Sequence, residues 1–556
     1  MSERLFSFDT ETTGLEESDR MFGFSIANDT NASFFRNKPD HLQRRLLQDP
    51  TITWIMQNAL FDMRMASYEG IEFNGPVIDI GIMARILKNN RGPKDYSLAA
   101  QSKRHLFQNK ITEVEEHIKA YDLYETRKDF FGEEYKVPCY QKVERTLMDK
   151  YGAMDARLTY GLYQYYLIQL DEDDMRVVEN ESKLTKVLHK MERTGIKLDK
   201  TYTVRAWHHE SEKKAEALTN FKESTGHEFV NSGVAIEKAL GIELPRTEKG
   251  NPTLTDDVID AMISDHPTLA LVRAIRYHDK RLTTYYTNYL NSQRDSIIRP
   301  SFHQYGTTTG RFSSSNPNIQ NIPAEDDGEY PVRGCFVPHE GDIFLSIDYK
   351  AQEFRLALDY AGETKLIRDI MDGADPHQAT ADMVGLPRKQ AKNCTFAALY
   401  GAGPKKFALM TGMSEQEAKS VLMTYFARLP KLERFLWQVQ KTGKSRGYVK
   451  NWFGRKLRAD YNHCYALPNH LIQSSGADTM KCAMVNMELP PQVKMVATIH
   501  DELVFSMPEK DLTLVPFIQQ IMESQYKPFN GMVLHTDANI SRGTLAKKDM
   551  IPWNAK

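Results

Sequence analysis

Two carboxylates two positions apart, Asp9 and Glu11, sit where the short apolar run Arg4–Phe8 ends, and they restrict this chain more than any other feature. Side chains at i and i+2 of a strand share a face. Like charges held that close repel unless a cation or a proton lies between them. Two further pairs occur in the first 175 residues, Asn58-x3-Asp62 and Tyr151-x3-Asp155, each spaced to fall on one face of a helix. The texture around them alternates strand-like and helix-like stretches, with an apolar run at Ile52–Met56 and a strand-then-helix pattern over Val77–Leu87, which predicts an α/β domain. Such a domain could gather Asp9, Glu11, Asp62 and Asp155 around divalent cations bound by hard oxygen ligands. Two ions there would clamp the attacking and leaving oxygens of a phosphodiester, and Tyr151 could orient the water.

Further along, a helical stripe over 174–190 stops at Gly195, an extended piece follows at Ile196–Leu198, and His208–Glu223 reads as a charged helix. Pro245–Pro252 has loop composition, another helical stretch runs from Asp256 to about Leu290, and Gly310–Pro323 is Ser/Asn/Pro-rich and poor in helix formers. An apolar strand at Phe344–Ile347 delivers Asp348, and Lys494–Met507 reads strand, turn, strand with His500-Asp501-Glu502 at the turn. If these lie side by side, Asp348 and Asp501 make a second carboxylate pair. Between them, Arg388-x3-Lys392-x3-Phe396-x3-Tyr400-Gly401 lines one helix face with two cations and then two rings. That order suits a nucleoside triphosphate, with cations on phosphates and rings against sugar and base. The competing reading is an amphipathic helix whose rings lie in a core.

The net charge of −2 suggests no polyanionic partner, yet Leu386–Arg458 carries 16 lysines and arginines against 3 acids, interleaved with aromatics. That block suits a nucleic-acid or nucleotide surface as well as a solvated helical one. No apolar window approaches the roughly 18 residues of a membrane helix, and the charged start Met1-Ser2-Glu3-Arg4 is unlike a signal peptide. The five cysteines are far apart with no CxxC pair, so neither a zinc ribbon nor a disulfide framework is expected, and reduced thiols in a cytoplasm are the simple reading.

The set DxE, NxxxD, YxxxD resembles the tyrosine-bearing 3′→5′ exonuclease domain of the DEDD superfamily. Asp348-Tyr349, Arg388…Lys392…Tyr400-Gly401 and His500-Asp501-Glu502 resemble motifs A, B and C of family A DNA polymerases, the DNA polymerase I type. Thr309-Gly310-Arg311, Ser313–Ser315 and Asn318–Pro323 are similar to that family's approach to the palm, and Glu181–Asp199 to the start of its thumb. The resemblance implies an α/β and α+β multidomain chain: an RNase H-like exonuclease domain (1–175), then a right-hand polymerase with thumb (176–298), palm (299–370 and 481–556) and fingers (371–480). With Asp9 so near the start, it implies a phage-like arrangement lacking the 5′-nuclease domain, acting in a bacterial host's cytoplasm.

Residue by residue, the resemblance puts palm metal ligands at Asp348, Tyr349 and Asp501, with Glu502 nearby. Each active site would take two Mg²⁺, with Mn²⁺ as the alternative. Arg388, Lys392 and His377 match triphosphate contacts. Phe396 would pack on the incoming sugar, Tyr400 would stack near the templating base, and Glu353 with Tyr400 would exclude a 2′-hydroxyl. Arg311, Gln473 and His500 match residues at the primer terminus, and Asn58 belongs with the exonuclease substrate. Primer–template DNA and dNTPs are the implied partners of a monomer, with helicase, primase and single-strand binding protein beside them. The family's usual Asp-Tyr-Ser-Gln-Ile-Glu-Leu-Arg is here Asp348-Tyr349-Lys350-Ala351-Gln352-Glu353-Phe354-Arg355, a departure that touches the nascent pair but no metal ligand. A single-subunit RNA polymerase and a non-catalytic DNA-binding scaffold are the rival readings.

Overall fold

The computed structural model describes residues 4–89, 92, 93, 95–247 and 249–554. The charged start at Met1–Glu3 and Glu248 of the Pro245–Pro252 loop lie outside them.

The N-terminal sheet has five strands: β1 (Arg4–Thr12), β2 (Met21–Ala27), β3 (Ala32–Phe35), β4 (Ile52–Met56) and β5 (Val77–Asp79), in the order β3-β2-β1-β4-β5. The first hairpin pairs are antiparallel, whereas β1, β4 and β5 run parallel, so helices must return the chain between them. Helix α1 (Ala59–Ser67) makes the return from β4, and helix α2 (Ile80–Lys88) follows β5. Asp79 caps both: Oδ1 accepts from the Gly81 amide at 2.7 Å and Oδ2 from the Ala59 amide at 2.9 Å.

Helix α3 (Arg145–Gln169) packs over β1, β2 and β3. Ser7 of β1 donates to the Ala156 carbonyl at 2.7 Å. A Cβ on Gly152 would come within 2.5 Å of the Phe34 ring and 2.8 Å of Ser25 Oγ. Glycine therefore lets α3 settle onto β2 and β3, bringing Tyr151 and Asp155 over the acidic end of β1.

Helix α4 (Glu172–Thr194), stopped by Gly195 at positive φ, packs against β5, α1 and α2 on one side and against the C-terminal part of the chain on the other. The stretch expected to be one helix from Asp256 to Leu290 is broken. Asp256–Met262 and Leu269–Lys280 are separate helices, with Pro267 in the gap, and a π-helical turn over Arg281–Thr287 leads into Asn288–Ser292. A proline offers no amide to a helix ladder and disfavours helical geometry in the residue before it, which accounts for the break.

The second five-stranded sheet is wholly antiparallel. Around central β6 (Ile343–Tyr349), helix α5 (Gln352–Ala361) leads away, followed later by helix α6 (Arg388–Leu399) and the buried helix α7 (Leu467–Asn486). The chain returns through β7 (Lys494–Ile499), β8 (Glu502–Met507), β9 (Thr536–Ser541) and β10 (Ile551–Pro552), in the order β7-β8-β6-β9-β10. The largest apolar core joins this sheet to α4, α6 and α7. All five cysteines are buried and unpaired. No helix among the described residues is long and apolar enough to cross a membrane.

Candidate active sites

Asp9 and Glu11 of β1 and Asp155 of α3 each offer an oxygen within 4.8 Å of the others. Asp62 lies beside Asp9 but outside that trio, and its Oδ1 accepts from the Thr10 amide at 2.9 Å and the Thr10 hydroxyl at 2.6 Å. Burial, then Asp62 and the other acids, raise the Asp9 carboxyl well above its usual range, and burial and Asp155 do the same to Glu11. Burial also pushes Asp62 up to about 7 and Asp155 to about 6. Four mutually repelling carboxylates with a buried, unpartnered Asp155 Oδ1 fit a hard divalent cation. Tyr151, one turn before Asp155 on α3, is buried against the same group.

Asn58 departs from the expectation of a shared helix face with Asp62. It is the exposed residue just before α1, with a left-handed backbone (φ 62°) and no capping bond from its side chain. It opens instead onto a cavity of about 760 Å³, bounded also by Leu15, Phe61, Arg64, Phe130 and Arg294.

In the C-terminal sheet, Asp348 of β6 stands directly opposite Glu502 of β8 and Asp537 of β9. Asp501 lies in the two-residue turn joining β7 to β8, with His500 at a positive φ of 58°. Residues other than glycine adopt that conformation sparingly, and it recurs where a side chain is held for function. Burial first, then the neighbouring Asp501, push Asp348 up to about 8, and burial raises Asp501 to about 6. Their oxygens and mutual repulsion fit a divalent cation.

Two expected participants are turned elsewhere. Glu502 is gripped by Arg333 through two bonds of 3.1 and 2.8 Å and accepts from Ser346 at 2.5 Å, so its carboxylate is already neutralised. The Tyr349 side chain points to the opposite face, where its hydroxyl donates to the Met522 carbonyl at 2.7 Å, leaving only its main chain to reach a cation.

Helix α6 presents its face outward. Lys392 Nζ lies 5.9 Å from the Phe396 ring centre, and the Phe396 and Tyr400 rings are 5.6 Å apart. Phe396 is half-buried and Tyr400 is 39% exposed, which disfavours the reading of both rings as core. Arg388 is held by Asp375 at 2.8 Å. His377 is buried near Phe354 and Phe396, its Nδ1 unpartnered and its pKa lowered by burial. The Tyr400 hydroxyl donates to Glu353 Oε2 at 2.7 Å, and Arg311 pairs with the other oxygen. Arg311, Gln473 and His500 line one cleft of about 380 Å³, together with Asn318, Gln320 and His470.

The family model described as DNA polymerase family A matches residues 124–543, and the model described as 3′-5′ exonuclease matches residues 2–171. The chain belongs to DNA polymerase family A. Among curated relatives, DNA polymerase I of Chloroflexus aurantiacus is 27% identical over 94% of this chain and 59% of that protein. The thermostable DNA polymerase I of Thermus filiformis is 31% identical over 71% of this chain and 51% of its own length. This chain thus spans between half and three-fifths of those two. The DNA polymerase of Mycobacterium phage L5 is 27% identical over 96% of this chain and 91% of that protein. The fold matches the polymerase domain of Pol1 from M. smegmatis, solved in complex with DNA primer-template and dNTP, with a TM-score of 0.83, 20% identity, and coverage of 98% and 97% of the two chains.

Sequence reasoning missed several residues at these sites. Arg333 and Ser346 take Glu502 out of the free carboxylate set, and Lys110 enters the N-terminal acidic group with Nζ 2.5 Å from Asp155 Oδ2. Each pairs with an acid 45 to 169 positions away or across a strand pair, so no local spacing announces it.

Proposed function

We propose that the chain is a DNA-templated DNA polymerase adding dNTPs to a primer 3′-hydroxyl, with a separate 3′→5′ exonuclease that trims mispaired ends. The observation that carries this is the presence of two separate carboxylate groups on one chain. One, at Asp348 and Asp501, is near the lined cleft of Arg311, Gln473 and His500. The other, at Asp9 and Glu11 of β1 and Asp155 of α3, lies in the N-terminal α/β unit. Family membership and the match to the exonuclease model support the assignment. The boundaries 1–175, 176–298, 299–370, 371–480 and 481–556 for exonuclease, thumb, palm, fingers and second palm segment follow from it.

Asp348 and Asp501 would hold Mg²⁺ in the palm, and Asp9, Glu11, Asp155 and the adjacent Asp62 in the exonuclease site. Two ions per site, when bound, activate the attacking oxygen and stabilise the departing one. The chain's own groups do the rest. Lys392 holds the triphosphate as a point charge, and Arg388 joins it bidentately once released from Asp375. Phe396 and Tyr400 offer ring faces to sugar and base. The Tyr400–Glu353 bond walls off the 2′ position and selects deoxynucleotides. Arg311 and Gln473 reach minor-groove acceptors that occupy similar places in every base pair, testing geometry without reading sequence. In the exonuclease site Tyr151 orients the attacking water.

The extent of the match to the phage L5 polymerase supports a phage origin; a replicative role in a bacterial cytoplasm, as a monomer working with helicase, primase and single-strand binding protein, belongs to the same proposal. A labelled primer–template incubated with Mg²⁺, with and without each dNTP or rNTP, tests the assignment. Extension by dNTPs and shortening without them are expected. Extension by rNTPs alone would favour an RNA polymerase, and neither activity would favour a scaffold.

A further inference from the structure

Lys110 lies in the irregular segment between the helices Leu98–His105 and Glu113–Ala120, far from every motif that marks the acidic site. Its neighbour Ile111 packs into a small core with Val114, Ile118, Met148 and Tyr151, which anchors the segment beside α3. From there the lysine runs along one turn of α3. Its ammonium meets Asp155 Oδ2 at 2.5 Å and stands 4.5 Å from the centre of the Tyr151 ring. Burial opposes its charge, but Asp155, Asp9 and Glu11 together hold its pKa above the usual lysine value. The contact is no loose surface pair, since Asp155 is 5% exposed at its side chain and Lys110 only 24%. Asp155 is thereby divided. Oδ2 is occupied by the ammonium, while Oδ1 is buried with no partner among the described residues.

We propose that Lys110 is a positioning residue of the exonuclease site, fixing Asp155 so that Oδ1 is presented to the metal and bracing the ring of Tyr151 that orients the water. This rests on the exonuclease reading above. A partner that orients a ligating carboxylate contributes through the ligand, and its loss costs on the order of 10–100-fold in metal affinity or activity.

Direct Mn²⁺ binding tests this without relying on activity. In the whole chain carrying Asp348→Ala and Asp501→Ala to silence the palm, free Mn²⁺ is followed by electron paramagnetic resonance. Lys110→Met should weaken binding at the remaining site by about tenfold or more, and Lys110→Arg, which keeps the charge, should recover most of the loss. In the otherwise unaltered chain, Lys110→Met should raise the half-saturating Mg²⁺ for single-strand degradation and lower kcat with little change in KM for the oligonucleotide. Primer extension by the same sample reports that the chain is folded, and Lys110→Gln provides a second uncharged variant. Unchanged Mn²⁺ affinity in both uncharged variants would overturn the proposal. So would tighter binding, which would make the lysine a competitor of the ion. If the unaltered chain failed to degrade single strands, the exonuclease reading would fall, while the Mn²⁺ measurement would still decide the role of Lys110 as a metal-site partner.

Discussion

Glu181 anchors a buried ion cluster outside the two sites, and removing its charge unbalances that cluster. It sits on α4, 1% exposed, and its Oε1 receives Arg455 Nη2 and Lys481 Nζ, both at 2.5 Å, while Oε2 accepts from Gln304 at 2.9 Å. Asp478 on α7 balances the group by holding the Arg455 guanidinium through bonds of 2.5 to 3.1 Å. Two cations and two carboxylates thus share one buried pocket joining α4, α7 and the loop that carries Arg455. Glu181→Gln keeps the shape but leaves two cations facing one acid. Breaking a buried pair in this way costs about 3–5 kcal/mol.

Lys481 sets a ceiling on that cost. Burial already lowers its pKa, and it can escape the imbalance by shedding its proton. From an ordinary lysine pKa, that release costs about 4–5 kcal/mol at pH 7 and about 2 kcal/mol at pH 9. The sign follows from proton counting. A lysine depressed in the folded state binds fewer protons there than when unfolded, so stability rises with pH between the folded and unfolded pKa values. Urea unfolding followed by circular dichroism at pH 7 and pH 9 reads the effect. Glu181→Gln should be destabilised by about 3–5 kcal/mol at pH 7 and markedly less at pH 9. The pair Glu181→Gln with Lys481→Met leaves Arg455 balanced by Asp478 and should recover much of the loss. A pH-independent penalty, a penalty below about 1 kcal/mol, or strict additivity in the double variant would refute the reasoning.

The active sites give further expectations. Asp9→Ala should stop degradation of single strands while extension continues, and Asp501→Ala should do the reverse; gel assays of both activities on each variant check the independence of the sites. Because Asp348 is raised to about 8 and Asp501 to about 6, the folded state binds extra protons there. Stability from that source is full below the ordinary carboxylate pKa and lost as pH rises towards 8, so the metal-free chain should melt lower at pH 8.5 than at pH 5.5 by thermal scanning, with Mg²⁺ narrowing the gap. Glu353→Ala releases the Tyr400 hydroxyl and should raise rNTP incorporation by tenfold or more relative to dNTP, on the order expected for losing a polar gate, read by single-nucleotide extension. The basic block over Leu386–Arg458 predicts primer–template binding that falls steeply with salt, measurable by fluorescence anisotropy.

The elements around each acid were legible because local rules decide them. Ile52–Met56 is a strand to the residue, Gly195 ends α4, and the hairpin around His500-Asp501 forms where two apolar runs flank polar residues. Asp9 and Asp348 were readable for the same reason, as acids delivered by strands. What was hidden depends on tertiary approach. Nothing near Asn58 in the chain shows that Asp79, 20 residues beyond Ala59, would cap α1 in its stead. Nothing near Glu502 shows Arg333. The Glu181 pocket draws its four charges from three distant segments, and Lys110 has no periodic companion.

Helix α4 touches β5, α1 and α2 at one flank and β7 and α7 at the other, and the Glu181 pocket bolts it to the second of these. A spacer so fixed gives the two carboxylate sites little freedom to approach each other. On the proposed function, editing would then be a journey made by the nucleic acid: the growing end would have to peel away from its complement and cross the gap. The choice between copying and cutting would then be set by how readily the terminal pairs come apart, so that weak or mismatched ends select themselves for removal.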